Sequence, residues 1–290
     1  MKLYSYIQLL RPQQWIKNLF VVAPLFFSGR FADGNALMAV ALAFVAFCLM
    51  SSAIYCVNDV ADFRNDAKHE KKRRRPVASG AVSRTSAIVV AVALAAASLG
   101  IAIAVNAKLL TVLGIYLILN LLYSLGLKRI AVLDVLIVAS GFVLRLFAGG
   151  VATDVVLSKW IVIATFLLAL FLAFAKRRDD VLILERTGEK MRESIENYSV
   201  RFIDAALASL AAAIVICYVM YTIDAEVGAH YNSPYLYLTA VFVIAGVLRY
   251  LQRTIRGEAS GSPTEAVYHD IFLIVCVVGW IASIAAILYF

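Results

Sequence analysis

Charge is scarce in this sequence. Only 16% of its 290 residues are Asp, Glu, Lys or Arg, against 63% hydrophobic residues, where soluble domains carry roughly 45–50% apolar residues. A mean hydropathy of +0.86 therefore excludes a soluble fold. Cysteine is almost as sparse. Cys48, Cys56, Cys217 and Cys276 lie in or at the ends of apolar segments without C-x-x-C spacing, which excludes a disulfide framework or a cysteine metal site and leaves small core residues. The histidines number three, His69, His230 and His269, so chemistry that needs a histidine base has few candidates. No charged n-region leads into a short apolar stretch with a small-residue cleavage site, so no removable signal peptide is expected.

What is present in quantity is long apolar sequence. Runs of roughly 17 to 25 apolar residues, each able to cross about 30 Å of hydrocarbon as a helix, recur near 18–32, 35–57, 86–106, 108–126, 131–150, 157–175, 202–223, 234–251 and 269–290. The expected fold is an all-α polytopic membrane protein with nine transmembrane helices, forming one domain over 1–290. Most of the 27 Lys and Arg residues fall before the first helix or in the alternate loops 58–85, 127–130, 176–201 and 252–268. Cations are costly to translocate, so this bias predicts a cytoplasmic N-terminus. The net charge of +8 then describes a basic cytoplasmic face near anionic lipid or an anionic substrate. Two long cytoplasmic loops follow the second and sixth helices and open with similar mixtures of acids and bases. This suggests two four-helix halves plus one helix, a repeat of polarity and spacing rather than of sequence identity.

The residues with most chemical content stand at the end of the second span, Asn58-Asp59-Val60-Ala61-Asp62-Phe63-Arg64-Asn65-Asp66. Asp59, Asp62 and Asp66 sit at i, i+3 and i+7, one face of a helix, and Asn58 adds an amide oxygen one turn from Asp62. Hard oxygen ligands so spaced suit Mg²⁺, which binds one or two carboxylates, several waters and substrate phosphate oxygens. The natural partner of such a site is a diphosphate. The alternative is a solvated helix end whose acids pair with Arg64, Lys68 and the basic run. That run, Lys68, His69, Glu70, Lys71, Lys72 and Arg73-Arg74-Arg75-Pro76, reads as a topogenic signal or as a phosphate clamp led by Arg75. A second cluster, Lys176-Arg177-Arg178-Asp179-Asp180, places Lys176 and Asp180 one helical turn apart. Lys17, Asn18, Tyr123, Lys128, Asp134 and Arg145 are further polar groups at or near membrane depth, each a functional candidate by its cost there. Asp134 and Arg145 also read as a buried ion pair.

These residues resemble the UbiA-type prenyltransferase superfamily, and the resemblance covers nearly the whole chain. It implies nine helices around a central crevice, with an Asp-rich motif after the second and the sixth. Arg11-Pro12-Gln13-Gln14-Trp15-Ile16-Lys17-Asn18 with Pro24-Leu25, the Asn58 to Asp66 array, Arg75-Pro76, Tyr123-Ser124-Leu125-Gly126-Leu127-Lys128, and Ser140-Gly141-Phe142 with Arg145 and Ala148-Gly149-Gly150 look like the decaprenyl-phosphate phosphoribosyltransferase branch. The second cluster is similar to that branch's K-R-x-x-E, with Asp180 in place of Glu and Asp179 extra.

The resemblance implies transfer of a 5-phosphoribosyl group from phosphoribosyl diphosphate to a polyprenyl phosphate, with diphosphate released, at a bacterial inner membrane and in the service of cell-envelope glycan synthesis. Asp59, Asp62 and Asp66 would be the catalytic Mg²⁺ ligands. Lys17, Asn18, Arg75, Lys128, Lys176 and Arg177 would hold the two anionic substrates, with Asn58, Tyr123, Arg145 and Asp180 as further contacts. An acceptor that is already an anion needs positioning more than deprotonation, so the shortage of histidine is consistent with this chemistry. The alternatives are an aromatic prenyltransferase of the same fold using an allylic polyprenyl diphosphate and, more remotely, a lipid transporter. No nucleic acid partner is expected.

Overall fold

The structure, a computed structural model, describes residues 2–68, 72–188, 193–231, 233–257 and 268–289. His69, Glu70 and Lys71 of the basic run lie outside the described residues. The described residues are helical throughout, without strands, as a chain must be when lipid offers no hydrogen bonds to its backbone. The α-helices are α1 (Lys2–Leu10), α2 (Ala23–Phe27), α3 (Gly34–Lys68), α4 (Arg84–Val105), α5 (Ala107–Leu125), α6 (Leu133–Thr153), α7 (Lys159–Thr187), α8 (Val200–Ile223), α9 (Ala225–Tyr231), α10 (Ala240–Arg256) and α11 (Ile271–Tyr289).

Eight helices among the described residues are long and apolar enough to cross a membrane, where nine were expected. The difference is the first expected span, 18–32. A 3₁₀ helix over Pro12–Val21 precedes the five-residue α2 there, with a proline in the first turn of each. Proline has no N–H to donate and fixes φ, so it starts helices and interrupts them. Two expected loops are also shorter than the charge pattern suggests. Helix α3 runs through the acidic array to Lys68, and α7 runs through the second cluster to Thr187. At about 1.5 Å per residue α3 is roughly 50 Å long, well beyond a hydrocarbon core of about 30 Å, so its last turns carry charge outside the apolar zone.

Polar side chains set where the helices begin. The Asp33 carboxylate accepts from the N–H groups of Asn35 and Ala36 at the start of α3. Those backbone bonds and Arg30 hold its pKa below the usual carboxylate range. Ser83, Asn106, Ser158 and Ser199 cap α4, α5, α7 and α8 in the same manner, satisfying amides that have no partner in the helix.

Within the expected 1–290 domain the described residues group into two compact units. One comprises Met1–Gly126 with Gly141–Leu157, the other Leu127–Ser140 with Ser158–Phe290, so α6 contributes residues to both. In the first, α3 packs along α4 and against α5. Its core joins Val40, Phe47 and Met50 of α3 to Leu109, Leu113 and Tyr116 of α5 and to Val21, Leu25 and Ala148. In the second unit α7 packs on α8, and α10 packs on α8 and α11. All four cysteines are buried free thiols, as expected.

Candidate functional site

A small apolar core in the first unit brings three chain segments to one place. Leu9 at the end of α1, Cys56 on α3, and Val77 and Val82 after the basic run pack together with Ala87 and Ala91 of α4. The residues just beyond these anchors are Arg11, Asp59 and Arg75. The Arg75 segment turns tightly, with Ser79 N–H donating to the Arg75 carbonyl and Val82 N–H to that of Pro76. Gly80 supplies the left-handed residue (φ 76°) that side chains resist.

The result is a compact ionic cluster. Arg11 Nη2 donates to Asp59 Oδ1, and Arg75 Nη1 donates to Asp66 Oδ2 at 2.6 Å while lying 3.6 Å from Asp59 Oδ1. Asp59 and Asp66 are buried, whereas the two arginine side chains keep 21% and 30% of their surface open. The cluster is therefore reached from its cationic side. Arg11 adopts a left-handed backbone conformation, φ 52° and ψ 56°, which a non-glycine residue holds only when its surroundings enforce it. Here the Tyr55 ring lies 4.9 Å under the guanidinium. Trp15 Nε1 donates to Ser52 Oγ at 3.0 Å, and Ser52 Oγ donates to the Leu10 carbonyl at 2.8 Å. Asn58 accepts from Ser124 Oγ at the end of α5, and Asp62 and Tyr123 are half-buried.

One atom in this cluster is unsatisfied. Asp59 Oδ2 is buried without a hydrogen-bond partner, a condition that costs roughly 1–3 kcal/mol and more for a charged group. Among the described residues no three His, Cys, Asp or Glu side chains converge on a point that could hold a metal. Asp59, Asp62 and Asp66 share the helix α3 as expected, but they do not form a ready cage, because Arg11 and Arg75 take up Asp59 and Asp66. An orphaned hard oxygen beside a second carboxylate fits Mg²⁺ nevertheless, since that ion takes few protein ligands and completes its shell with water and phosphate oxygens.

The Asp134–Arg145 ion pair, one of the two readings the sequence left open for these residues, does not form. Arg145 is buried in the first unit, where Nε donates to Asn18 Oδ1 at 2.8 Å, Nη1 to the Gly141 carbonyl at 2.8 Å and Nη2 to Tyr116 Oη at 3.0 Å. The rings of Phe47, Tyr116 and Phe142 surround its guanidinium at 5.0 to 5.4 Å, a cation–π cage in place of a counter-ion. Asn18, fully buried, passes its amide on to Ser51 Oγ and Cys48 Sγ. Both residues, expected as substrate contacts, tie the 3₁₀ segment to α3, α5 and α6. Gly149 lets that segment approach, because a Cβ there would stand 1.9 Å from the Val21 carbonyl oxygen.

Asp134 instead anchors the second unit. Fully buried, it accepts from Arg177 Nε at 2.7 Å, Ser194 Oγ at 3.1 Å and Tyr198 Oη at 2.6 Å. Burial first, and then donation to Asp134, raise the pKa of Tyr198, so it stays a neutral donor. Tyr198 Oη also accepts from Val132 N–H at 2.6 Å, which holds a β-branched residue at φ 69°. Arg177 Nη1 lies 3.8 Å from Asp180. Both are buried, while Lys176 is half-buried. Lys128 lies on the short 3₁₀ helix Leu127–Arg129, which packs against another over Glu193–Asn197. Neighbouring Arg178 closes the end of α10, donating to Asp204 and to the Thr254 and Ile255 carbonyls.

The sequence placed Arg11 in the N-terminal motif of the resemblance but gave it no role at the site. Its signal was a cation directly before a proline at the edge of an apolar segment, but nothing in one dimension links it to Asp59, 48 residues away.

Eight helices able to cross a membrane among the described residues define an integral membrane protein, and the match to a known family makes it an enzyme of the prenyltransferase type. The chain belongs to the UbiA prenyltransferase family, whose model matches residues 20–274. It is 39% identical to a decaprenyl-phosphate phosphoribosyltransferase of Mycolicibacterium smegmatis, over 98% of this chain and 92% of that one. To the protein of the same name from Corynebacterium glutamicum it is 36% identical, over 98% and 86%. Its fold is similar to that of a UbiA homolog from Archaeoglobus fulgidus, solved bound to GPP and Mg²⁺, with a TM-score of 0.72 at 22% identity, covering 99% of this chain and 100% of that chain.

Proposed function

We propose that this protein transfers a 5-phosphoribosyl group from phosphoribosyl diphosphate to a decaprenyl-like polyprenyl phosphate, at the cytoplasmic face of a bacterial inner membrane, to supply a lipid-linked pentose for cell-envelope glycan. The full-length likeness to phosphoribosyltransferases supports the donor and acceptor. The observation that carries the chemistry is the buried, unpartnered Asp59 Oδ2 beside two partly open arginines.

A lipid phosphate oxygen bonds to the anomeric carbon as the bond from that carbon to the diphosphate oxygen breaks, and the diphosphate leaves with the electron pair. Asp59, Asp62 and Asp66 would hold Mg²⁺, which when bound would supply positive charge to stabilise the leaving group. Arg75 neutralises a further part of the leaving group's charge. In the first unit Lys17 is a further phosphate contact and Asn58 and Tyr123 further polar ones, while for Lys128, Lys176 and Asp180 of the second unit a role in substrate binding rests on the family resemblance alone. Arg177, fixed by Asp134 and Asp180, keeps its stretch of α7 in place. Proton transfer is not required, since the acceptor enters ionised.

The test incubates purified protein in detergent with Mg²⁺, phosphoribosyl diphosphate and a polyprenyl phosphate and looks by mass spectrometry for the phosphoribosylated lipid. The expected result is a product lost with EDTA and in Asp62→Asn. No such product, together with prenyl transfer from an allylic diphosphate to an aromatic acid, would replace this reading with the aromatic prenyltransferase.

A further inference from the structure

Arg11 has no role in the reading above, yet it makes the closest contact to the carboxylate that leaves an oxygen orphaned. The two acids Asp59 and Asp66 are matched by two guanidiniums, Arg11 and Arg75. Asp59 Oδ1 alone is shared between both arginines. A divalent cation arriving by itself would have to displace cations already seated on these acids or sit against them, and like charges at such short range repel strongly where water is excluded. A diphosphate reverses the balance. It carries more negative charge than one divalent ion cancels, so it gives both guanidiniums a new partner as the metal takes the carboxylates.

We propose that Arg11 and Arg75 are resident counter-ions that keep free metal out of the Asp59 and Asp66 site and exchange onto the diphosphate when metal and diphosphate bind together. This rests on the Mg²⁺ reading above. Three features fit the exchange. The arginines are the open side of the cluster and the acids its buried side. Arg11 is held in a left-handed backbone conformation, which aims it without a long flexible search. Tyr55 gives its guanidinium a face to rest on whichever anion it meets. Metal and diphosphate affinities must then be coupled, and coupling is reciprocal, so each ligand tightens the other by the same factor.

The experiment titrates the full chain in detergent with Mn²⁺, a paramagnetic stand-in for Mg²⁺. Bound ion is followed by electron paramagnetic resonance with and without inorganic diphosphate, correcting for Mn²⁺ held by diphosphate in free solution. In the native protein, diphosphate should tighten Mn²⁺ binding by about tenfold to a hundredfold. Arg11→Gln should bind Mn²⁺ alone about tenfold more tightly than the native protein and lose most of the diphosphate effect, with Arg75→Gln behaving alike. Arg11→Lys, which keeps the charge but not the fork, should fall between them and serves if the glutamine variant does not fold. Equal Mn²⁺ affinity in the native protein and the variants would overturn the counter-ion proposal while leaving the metal site standing. Absence of Mn²⁺ binding even with diphosphate would sink the metal site and this proposal together.

Discussion

The two units each bury an aspartate against arginine, and they do so to opposite ends. Asp134 has donors on both of its oxygens, with Arg177 and Ser194 donating to Oδ2 and Tyr198 to Oδ1. Asp59 has Arg11 and Arg75 on one oxygen and nothing on the other. A buried acid with donors on both oxygens spends its hydrogen-bonding capacity on holding its neighbours together. An acid that folding leaves half-satisfied retains binding free energy for something that arrives later. Burial and charge alone do not separate the two, since both aspartates are closed to solvent. The unused hydrogen-bonding capacity does.

Loss of the half-satisfied acid should have the largest effect on activity. Asp59→Asn is expected to lower the proposed phosphoribosyl transfer by roughly a hundredfold to a thousandfold, the scale seen when one group aimed at developing charge is removed, in protein that unfolds with heat much as before. A full-rate Asp59→Asn enzyme would erase the distinction drawn here.

Asp134→Asn should do the reverse. It leaves the buried Arg177 cation with only the longer Asp180 contact at 3.8 Å, and since breaking a buried pair costs up to roughly 3–5 kcal/mol, thermal unfolding in detergent would read it as a clear drop in Tm. Replacing both residues with apolar ones, Asp134→Leu with Arg177→Met, should restore much of that stability. If the double variant is no more stable than Asp134→Asn, the network does more than fasten.

Smaller in scale, Gly149→Ala tests the seat of the Arg11 segment without touching a charge. The new methyl would meet the Val21 carbonyl, and overpacking of this kind costs about 1–3 kcal/mol. Activity in the proposed reaction should fall as well, through a raised KM for its diphosphate donor, because the segment that shifts carries Arg11. An unchanged KM would detach Arg11 from the site.

Smallest should be Asn106→Ala, which removes the cap of α5 and a bond to the Val151 carbonyl. A loss of about 1–2 kcal/mol is expected, with KM unaffected. An activity loss matching that of Gly149→Ala would mean that general loosening, and not the placing of Arg11, explains both.

The sequence by itself determined the solvent and the chemistry on offer. Apolar runs of membrane length fix helices as the only structure, because an unpaired backbone amide in lipid is too costly. Five of the nine expected spans, those near 86–106, 108–126, 131–150, 202–223 and 269–290, meet a single long helix within a few residues at both ends, α3 and α7 start where expected but run on, and the span expected at 234–251 meets α10 together with the 3₁₀ turn before it. The spacing of Asp59, Asp62 and Asp66 put them on one helix, as it had to, since helical periodicity is local. The short-range pattern failed at Pro12 and Pro24, where an apolar window hid two proline breaks, and at the ends of α3 and α7, where charge looked like loop although the backbone stayed helical.

Only the tertiary structure decided which ion meets which. Arg145 could have answered Asp134 on the same helix. Instead it turned to Asn18, 127 residues away, while Asp134 took Arg177 from the next helix. Such choices depend on distances of a few ångströms between segments far apart in the chain, because the interaction of buried charges rises steeply as they close. Periodicity reports a face and never a neighbour. For the same reason Arg11, one cation among 27 in the sequence, becomes a candidate ligand-binding residue only once Leu9, Cys56 and Val77 have packed together and carried it to Asp59.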